Sequence, residues 1–242
     1  MNNFEDTIKK IFKNFGILIC KYNPSTSEEL RRIQLLKDYN IDLVFDIGAN
    51  MGQYATDIIE TGYTRTIVSF EPLTSAYKII ESKSKKYSNW TVAPRCAIGS
   101  KREEIEINIS ANLVSSTLLN MLDSHIQSAL ESKIIGKEKV QVFPLDEIGA
   151  KYINDAHNIF LKIDVQGFEQ EVLKGAQAMI DKAKGIEMEI SLIPLYENQS
   201  WLLSQALEYM QQKGFQLTSI TPGFTDNKTG KVLQCDGIFF RK

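Results

Sequence analysis

The chain reads VFDIGANMGQYA at residues 44–55, where a short apolar run gives way to a glycine-containing turn and then to a helical pattern. A continuous apolar run is typical of a strand that is covered on both faces of a sheet. Gly48 and Gly52 permit backbone torsions that other residues avoid, and they let a ligand approach the main chain closely. The stretch therefore predicts a strand, a ligand-binding turn and a helix, in that order.

The rest of the chain repeats this alternation of strands and helices. Strand patterns such as TIVSF, FLKID and GIEMEIS alternate with helical patterns such as SAYKIIESKSKKY, and EEIEINI and VQVF predict further strands. Such alternation indicates βαβ units and a mainly parallel sheet. The last two strand patterns are joined by a stretch without a helical pattern, which permits antiparallel pairing. The predicted fold class is α/β, doubly wound and mainly parallel.

Length and composition place the chain among single-domain proteins without a nucleic-acid partner. It has 242 residues and a formal net charge of -2, which gives no electrostatic reason to bind nucleic acid. Its three cysteines and two histidines provide neither a disulfide framework nor a zinc site. No apolar run has transmembrane length, and the N-terminus is a poor secretory signal. We expect a cytoplasmic protein, and the sequence leaves its oligomeric state open.

Residues 1–40 are predicted to form two helices that precede a single domain at residues 41–242. Large apolar residues recur at helical spacing near the N-terminus, and a serine- and threonine-containing cap followed by two glutamates starts the second helix. We expect this segment to pack on the core of the domain. Docking of the first helix on a membrane surface or on a partner is the alternative.

The glycine turn lacks the features of two common nucleotide-binding loops. No lysine follows Gly52, as a P-loop requires, and Asn50 stands where a dinucleotide loop has its second glycine. Glu71 ends the next predicted strand, so the topology of a parallel sheet places it beside the turn. An ionised carboxylate has two acceptor oxygens and suits the hydroxyls of a ribose. These residues predict a nucleoside ligand; a turn that needs glycine only for packing, and a solvated acid before Pro72, are the alternatives.

Five motifs follow one another over most of the chain, from about residue 43 to about residue 241. They are VFDIGANMGQYA, SFEPL, AIGS, LKIDVQGFEQEVLKGA and the terminal CDGIFFRK. In this order the motifs resemble the FkbM-type S-adenosylmethionine-dependent methyltransferases. The resemblance implies a Rossmann-like methyltransferase fold of seven strands with the last strand antiparallel. It also implies S-adenosyl-L-methionine as the cofactor and O-methylation of a small-molecule or glycan acceptor, on a saccharide or natural-product hydroxyl.

The resemblance assigns donor-binding residues to three places. Those in the glycine turn would surround the methionine part and the ribose of the donor, Glu71 would hold the ribose hydroxyls, and residues ending the third strand would line the adenine. The residues concerned are Asp46, Gly48, Asn50, Gly52, Glu71, Cys96, Ala97 and Ile98. Simple packing at a strand end is the alternative for the last three.

Asp164 ends the strand pattern FLKID and is the first candidate for a catalytic residue. Methyl transfer needs an aligned acceptor oxygen and removal of the acceptor proton. Asp164 would act as the general base, orient the hydroxyl or bind a divalent cation such as magnesium. Capping of the following helix is the alternative. Lys162 is predicted to share the face of Asp164 and to neutralise it or contact substrate, unless it only reaches towards solvent.

Substrate contacts are predicted at Gln166 and Glu189. Gln166 occupies a position where the family often has glutamate, so hydrogen bonding rather than acid–base chemistry is expected there. Glu187 and Glu189 share one face of the strand pattern GIEMEIS, and such carboxylates need water, a cation or a substrate beside them. Glu189 lies nearer the carboxyl end and is the better candidate for an acceptor or metal contact. Asp236 is a similar but weaker candidate.

A hydroxyl-rich stretch at residues 112–120 is predicted to close over a ligand. Within it Ser116 is a candidate for a contact with the donor. His125 follows on a predicted helix and is a candidate base, with an ordinary surface histidine as the alternative. Two further functions stay open at this point: an NAD-dependent oxidoreductase, which the glycine pattern disfavours, and a nucleoside-binding module without catalysis.

Overall fold

A seven-stranded sheet with helices on both faces organises the protein, whose structure is a computed structural model. The structure describes residues 3–110, 134–153, 155–156, 158–197 and 199–241. Within these residues no helix combines the length and the apolar composition that crossing a bilayer requires.

The strands and helices follow the alternation that the sequence predicts. Within the described residues the strands are β1 (Leu43–Ile47), β2 (Thr66–Phe70), β3 (Trp90–Val92), β4 (Ala97–Ile98), β5 (Glu103–Ser110), β6 (Ile134–Phe143), β7 (Ile159–Ile163), β8 (Ala183–Ser191), β9 (Phe215–Pro222) and β10 (Gln234–Arg241). The helices are α1 (Asn3–Asn14), α2 (Glu28–Asp38), α3 (Gln53–Glu60), α4 (Thr74–Ser84), α5 (Leu145–Ile148), α6 (Glu169–Lys174), α7 (Gln177–Lys182) and α8 (Leu203–Gln212).

The main sheet has the strand order β3-β2-β1-β7-β8-β10-β9. Strands β1, β2, β3, β7 and β8 pair in parallel, whereas β10 lies antiparallel between β8 and β9. The predicted doubly wound, mainly parallel sheet of seven strands with an antiparallel last strand is therefore confirmed. Because β1 lies between β2 and β7, the strand order reverses beside β1, which is where ligands bind in open α/β sheets.

Both faces of the main sheet are covered by apolar side chains. All five residues of β1 are buried, as are all five residues of β7. Phe45 and Leu161 join one hydrophobic cluster, whereas Val44 and Phe160 join a second. Since successive side chains of a strand point to opposite faces, the two clusters lie on the two sides of the sheet. This double burial explains the continuous apolar runs in the sequence.

Three of the predicted strand stretches form a separate sheet with the order β4-β6-β5. β4 was expected to continue the third strand of the main sheet, but β3 ends at Val92 and β4 pairs with β6 instead. The small sheet has its own apolar cluster, in which Ile107, Val140 and Val142 pack against Leu73 of the main domain. Through this packing the half-exposed strands β5 and β6 bury one of their two faces.

The two N-terminal helices differ in how they contact the domain. α2 begins at its cap Ser27, whose hydroxyl accepts a hydrogen bond from the amide of Leu30, and it buries Ile33 and Leu36. In α1, Ile11 and Phe12 are exposed. The division of the chain at residue 40 stays a prediction.

Candidate active site

The carboxyl ends of β1, β2 and β7 open into a cavity of about 650 Å³. Its walls come from the glycine turn after β1, the residues after β2 and β7, the small sheet, and the N-terminal part of α2. Most of the residues that the sequence assigns to a ligand line this single cavity. They are Asp46, Gly48, Asn50, Glu71, Cys96, Ala97, Ile98, Lys162, Asp164 and Gln166.

The glycines of the turn have different roles. Gly48 has a φ of 81°, and a Cβ at this residue would overlap the backbone carbonyl of Asp164. A side chain there would therefore separate the ends of β1 and β7, which must meet at the cavity. Gly52, with a φ of 78°, packs against the ring of Trp90 and does not line the cavity. The structure thus gives Gly52 a packing role at the start of α3, and its contact with the donor stays a prediction.

Glu71 connects the glycine turn to the start of α4. Its Oε2 accepts a hydrogen bond from the Asn50 amide and its Oε1 accepts one from the Leu73 amide, both at 2.8 Å. Burial raises the pKa of Glu71 to about 7, although the two amides favour the ionised form. Each oxygen keeps acceptor capacity beyond its amide bond, so the carboxylate can also receive hydroxyl protons from a ligand.

Asp46 is a fully buried carboxylate with one oxygen left without a partner. Its Oδ2 accepts a hydrogen bond of 2.8 Å from the Ser69 hydroxyl, which in turn accepts one from the indole of Trp90 at 2.9 Å. Its Oδ1 has no hydrogen-bond partner in the described structure. Burial raises the pKa of Asp46 to about 6, and Lys162 acts in the opposite direction. A buried acceptor of this kind is normally satisfied by an ordered water, an ion or a donor group on a ligand.

Asp164 is held on both carboxylate oxygens by side chains of its own segment. Lys162 Nζ donates to Oδ2 and Gln166 Nε2 donates to Oδ1, each at 2.9 Å. Gln166 has a φ of 54°, a left-handed conformation that turns its side chain back towards Asp164. Burial by itself lowers the pKa of Lys162, but Asp164 and Asp46 outweigh it, so this pKa lies above its usual value. The lysine therefore stays charged beside the aspartate.

Gln166 links Asp164 to a second carboxylate, that of Glu189. Gln166 Nε2 lies 2.7 Å from Glu189 Oε2, which also accepts a hydrogen bond of 2.7 Å from Gln234. The phenol of buried Tyr196 donates to Gln166 Oε1 at 2.8 Å. Burial, with Asp164 next, raises the pKa of Glu189 well above its usual value. Glu189 does not line the cavity itself, so it contacts the site through Gln166.

The helix that follows β7 has no side-chain cap, from Asp164 or from any other described residue, and its first residue Glu169 holds the turn that precedes it. Glu169 Oε1 accepts hydrogen bonds from the amides of Gly167 at 3.0 Å and Val165 at 3.3 Å. Burial raises the pKa of Glu169 to about 7, and those amides partly offset the effect. Asp164 is consequently available to the cavity, which its side chain lines together with Lys162.

A buried ion pair joins α2 to β8 at the cavity wall. Arg32 Nε lies 2.9 Å from Glu187 Oε1, Arg32 Nη2 lies 2.7 Å from the same oxygen, and the Tyr54 phenol donates to Glu187 Oε2 at 3.0 Å. Glu187 is fully buried, and burial followed by Glu187 raises the pKa of Tyr54, so the phenol keeps its proton. The strand pattern favoured Glu189 over Glu187 as a site residue, and Arg32 and Tyr54 were not predicted. The one feature of the sequence that indicated this ion pair was Glu187 itself, a carboxylate on a predicted strand that would need a cation beside it.

One end of the cavity is apolar. Phe70, Cys96, Ala97, Ile98 and Ile107 line it. Burial raises the pKa of the Cys96 thiol to about 12, so this cysteine is a neutral packing residue. The surface suits the flat face of a base, although Ala97 and Ile98 reach it from the small sheet and not from the end of β3.

Two groups of predictions receive no support from the structure. Ser116 and His125 lie outside the described residues. A divalent cation was left open at Asp164 and Glu189, but no three histidine, cysteine, aspartate or glutamate side chains are placed to hold a metal ion in the part of the chain that is described. A metal-binding role for Asp164 and Glu189 is therefore not supported.

The family of the chain follows from its sequence. The model of the Methyltransferase FkbM domain matches residues 46–217, which is more than half of the chain. The chain belongs to the FkbM methyltransferase family. The resemblance carried by the five motifs is thereby confirmed. The family match supports methyl transfer and gives no support to the alternative of an NAD-dependent oxidoreductase.

One solved structure shares the fold of this FkbM chain at low sequence identity, and two others resemble it more weakly. The methyltransferase FkbM of Methylobacillus flagellatus KT is 18% identical, with a TM-score of 0.50 over 83% of this chain and 44% of that chain. An uncharacterized protein of Listeria monocytogenes serotype 4b is 10% identical, with a TM-score of 0.47 over 88% of this chain and 67% of that chain. Precorrin-6y C5,15-methyltransferase of Geobacter metallireducens GS-15 is 13% identical, with a TM-score of 0.43 over 92% of this chain and 93% of that chain. A comparison with curated proteins found no match.

The FkbM match does not include every residue at the cavity. The matched region begins at Asp46 and ends within β9, so it contains the glycine turn, Glu71 and Asp164. Arg32 on α2 and Asp236 on β10 lie outside that region but line the same cavity. Burial, opposed by Lys162, raises the pKa of Asp236 to about 7. One wall of the FkbM cavity is thus built by residues of α2 and β10, which flank the matched region.

Proposed function

We propose that this FkbM protein transfers the methyl group of S-adenosyl-L-methionine to a hydroxyl of a saccharide or natural product. One observation carries the proposal: a single cavity brings together the glycine turn, Glu71 and the Lys162–Asp164 pair. An edge that can hold a nucleoside and a positioned carboxylate that can accept a proton support such a transfer.

The residues of the cavity fit S-adenosyl-L-methionine. The unpartnered Oδ1 of Asp46 can accept a hydrogen bond from the ammonium group of the donor, and Gly48 leaves the main chain bare beside it. Glu71 can accept the ribose hydroxyl protons on the sides of its oxygens that the amides of Asn50 and Leu73 leave open. The apolar end formed by Cys96 and its neighbours would receive the adenine.

The chemistry is divided between the donor and the protein. S-Adenosyl-L-methionine supplies a methyl group on a positively charged sulfur, which makes it ready for transfer. Asp164 would accept the proton of the acceptor hydroxyl, and Lys162 and Gln166 hold its two oxygens in place for that task. Tyr196 fixes Gln166 from the buried side. The protein thus orients the acceptor and provides a site for its proton.

Replacement of Glu71 by alanine should weaken binding of S-adenosyl-L-methionine by about 1.5–3 kcal/mol, because hydrogen bonds to a charged acceptor are lost. Isothermal titration calorimetry measures this change. Glu71→Gln keeps one acceptor oxygen and should fall between alanine and wild type. Glu81→Ala, an exposed change on α4, is the control and should leave affinity unchanged. Unchanged affinity in Glu71→Ala would remove Glu71 from the donor site.

Donor affinity should also depend on pH through Glu71. The ionised carboxylate accepts hydroxyl protons better than the neutral acid, and its pKa is raised to about 7 by burial. Affinity for the donor is therefore greatest above this pKa and decreases as the pH falls through it. The decrease should be about tenfold between about pH 8 and about pH 6. The measurement is the dissociation constant across this range. Glu71→Gln should remove the step near neutrality, and a step that persists in this variant would assign it to another group.

The function itself is tested by an acceptor screen with isotopically labelled S-adenosyl-L-methionine. Saccharides and natural products with free hydroxyls are offered, and the mass and fragmentation of the product locate the new methyl group. A methyl group found on nitrogen or carbon would contradict the O-directed reaction. Binding of the donor without transfer to any acceptor would favour the non-catalytic module. A cytoplasmic location stays a prediction.

A further inference from the structure

The segment at residues 8–18 exposes an unusual concentration of large apolar side chains. Phe15 is 76% exposed and Leu18 is 88% exposed, and Ile11, Phe12 and Ile17 are exposed as well. Among the described residues, six of the thirteen exposed large hydrophobic side chains fall within residues 11–22. Single exposed apolar residues are normal on protein surfaces, but a contiguous group marks a site of interaction.

The same segment carries a row of positive charge. Lys9 and Lys13 are four residues apart on α1 and share one side of the helix, whereas Ile8 and Ile11 are three apart and face the other way. Lys10 also belongs to the polar side, and the three lysines are exposed. An apolar face beside a lysine-rich face is the arrangement of helices that lie in the interface of a bilayer.

We propose that residues 8–18 dock this protein on an anionic lipid surface. The apolar side chains would enter the boundary between headgroups and acyl chains, and the lysines would contact the negatively charged headgroups. A second copy of the chain is a poorer occupant, because pairing two such segments brings their lysines together. An anionic lipid surface satisfies both kinds of side chain, because its acyl boundary takes the apolar ones and its headgroups take the lysines.

The docking segment is continuous with the rim of the cavity. Tyr22, four residues past Leu18, lines the cavity and donates a hydrogen bond of 3.3 Å to Glu29, which lines it too. A lipid surface under residues 8–18 would therefore lie beside the cavity mouth. This position does not depend on which reaction the cavity performs.

The test is sedimentation of the full chain with vesicles of phosphatidylcholine, with and without about one third phosphatidylserine. We expect binding to the anionic vesicles that weakens with added salt. The double variant Phe15→Ser, Leu18→Ser should lose it. Replacement of Lys9, Lys10 and Lys13 by glutamine should weaken it by about tenfold to a hundredfold. Because all five side chains are exposed, these variants should keep the wild-type unfolding midpoint.

Matched controls change equal numbers of exposed residues elsewhere. Leu217→Ser with Ile220→Ser on β9, and glutamine at Lys78, Lys85 and Lys86, should leave binding unchanged. Equal binding to neutral vesicles, no binding at all, or equal losses in the controls would overturn the proposal. So would a wild-type dimer in light scattering that Phe15→Ser, Leu18→Ser converts to a monomer, because the segment would then be an interface between copies.

Discussion

Asp164→Asn should lower the turnover number by about 100- to 10,000-fold, the usual contribution of a positioned general base. The asparagine keeps the shape of the side chain and an oxygen for hydrogen bonding, but it removes the negative charge beside Lys162. The affinity for S-adenosyl-L-methionine should stay close to wild type, because Asp46 and Glu71 are proposed to hold the donor. Steady-state rates with the acceptor from the screen, together with calorimetry of the donor, measure both quantities.

The control for Asp164 is a second aspartate of the same cavity. Asp57 lies on α3 and lines the cavity, but it has no contact with the Lys162–Asp164 pair in the described structure. Asp57→Asn removes the same charge and should retain most of the turnover. An equal fall in both variants would indicate an effect of net charge on the cavity. Unchanged turnover in Asp164→Asn and Asp164→Ala would show that the acceptor proton leaves by another route.

Local motifs were sufficient to predict the edge of the site formed by β1 and β2. The turn after β1 and Glu71 after β2 are 21 positions apart, yet parallel pairing of neighbouring strands determines that their ends meet. Asp164 follows from the same rule, since β7 pairs with β1. Sheet topology therefore converts three short motifs into one site.

Side-chain partners from distant elements could not be predicted in this way. Arg32 and Glu187 are 155 positions apart, and no strand pairing connects α2 with β8. The strand pattern indicated that Glu187 and Glu189 share a face, but it could not indicate which cation or amide would meet each one. Their partners, Arg32 and Gln166, depend on how α2 packs and on the left-handed turn after β7. The division between β3 and β4 was missed for a similar reason, because β4 pairs with a strand from a later part of the chain.

Arg32→Met should destabilise the protein by about 3–5 kcal/mol, the usual effect of removing one partner from a buried ion pair. The side chain of Glu187 is completely shielded from solvent, and that of Arg32 is 11% exposed. Without Arg32, the Tyr54 phenol is the one hydrogen-bond donor to the buried carboxylate that remains among the described residues. The free energy of unfolding is measured by urea titration, with far-ultraviolet circular dichroism as the signal.

Two further variants separate a buried charge from a lost contact. Arg32→Met combined with Glu187→Met removes both charges and should recover most of the stability, because apolar residues of similar size can replace a buried ion pair. Lys139→Met breaks an exposed ion pair in which Lys139 Nζ lies 3.4 Å from Glu104 Oε1. This change should alter the free energy of unfolding by less than about 1 kcal/mol. If the double variant were as unstable as Arg32→Met, the ion pair would matter for the packing of α2 rather than for neutralising Glu187. Because both residues line the cavity, recovery of stability without recovery of turnover would show that their charges also serve the reaction.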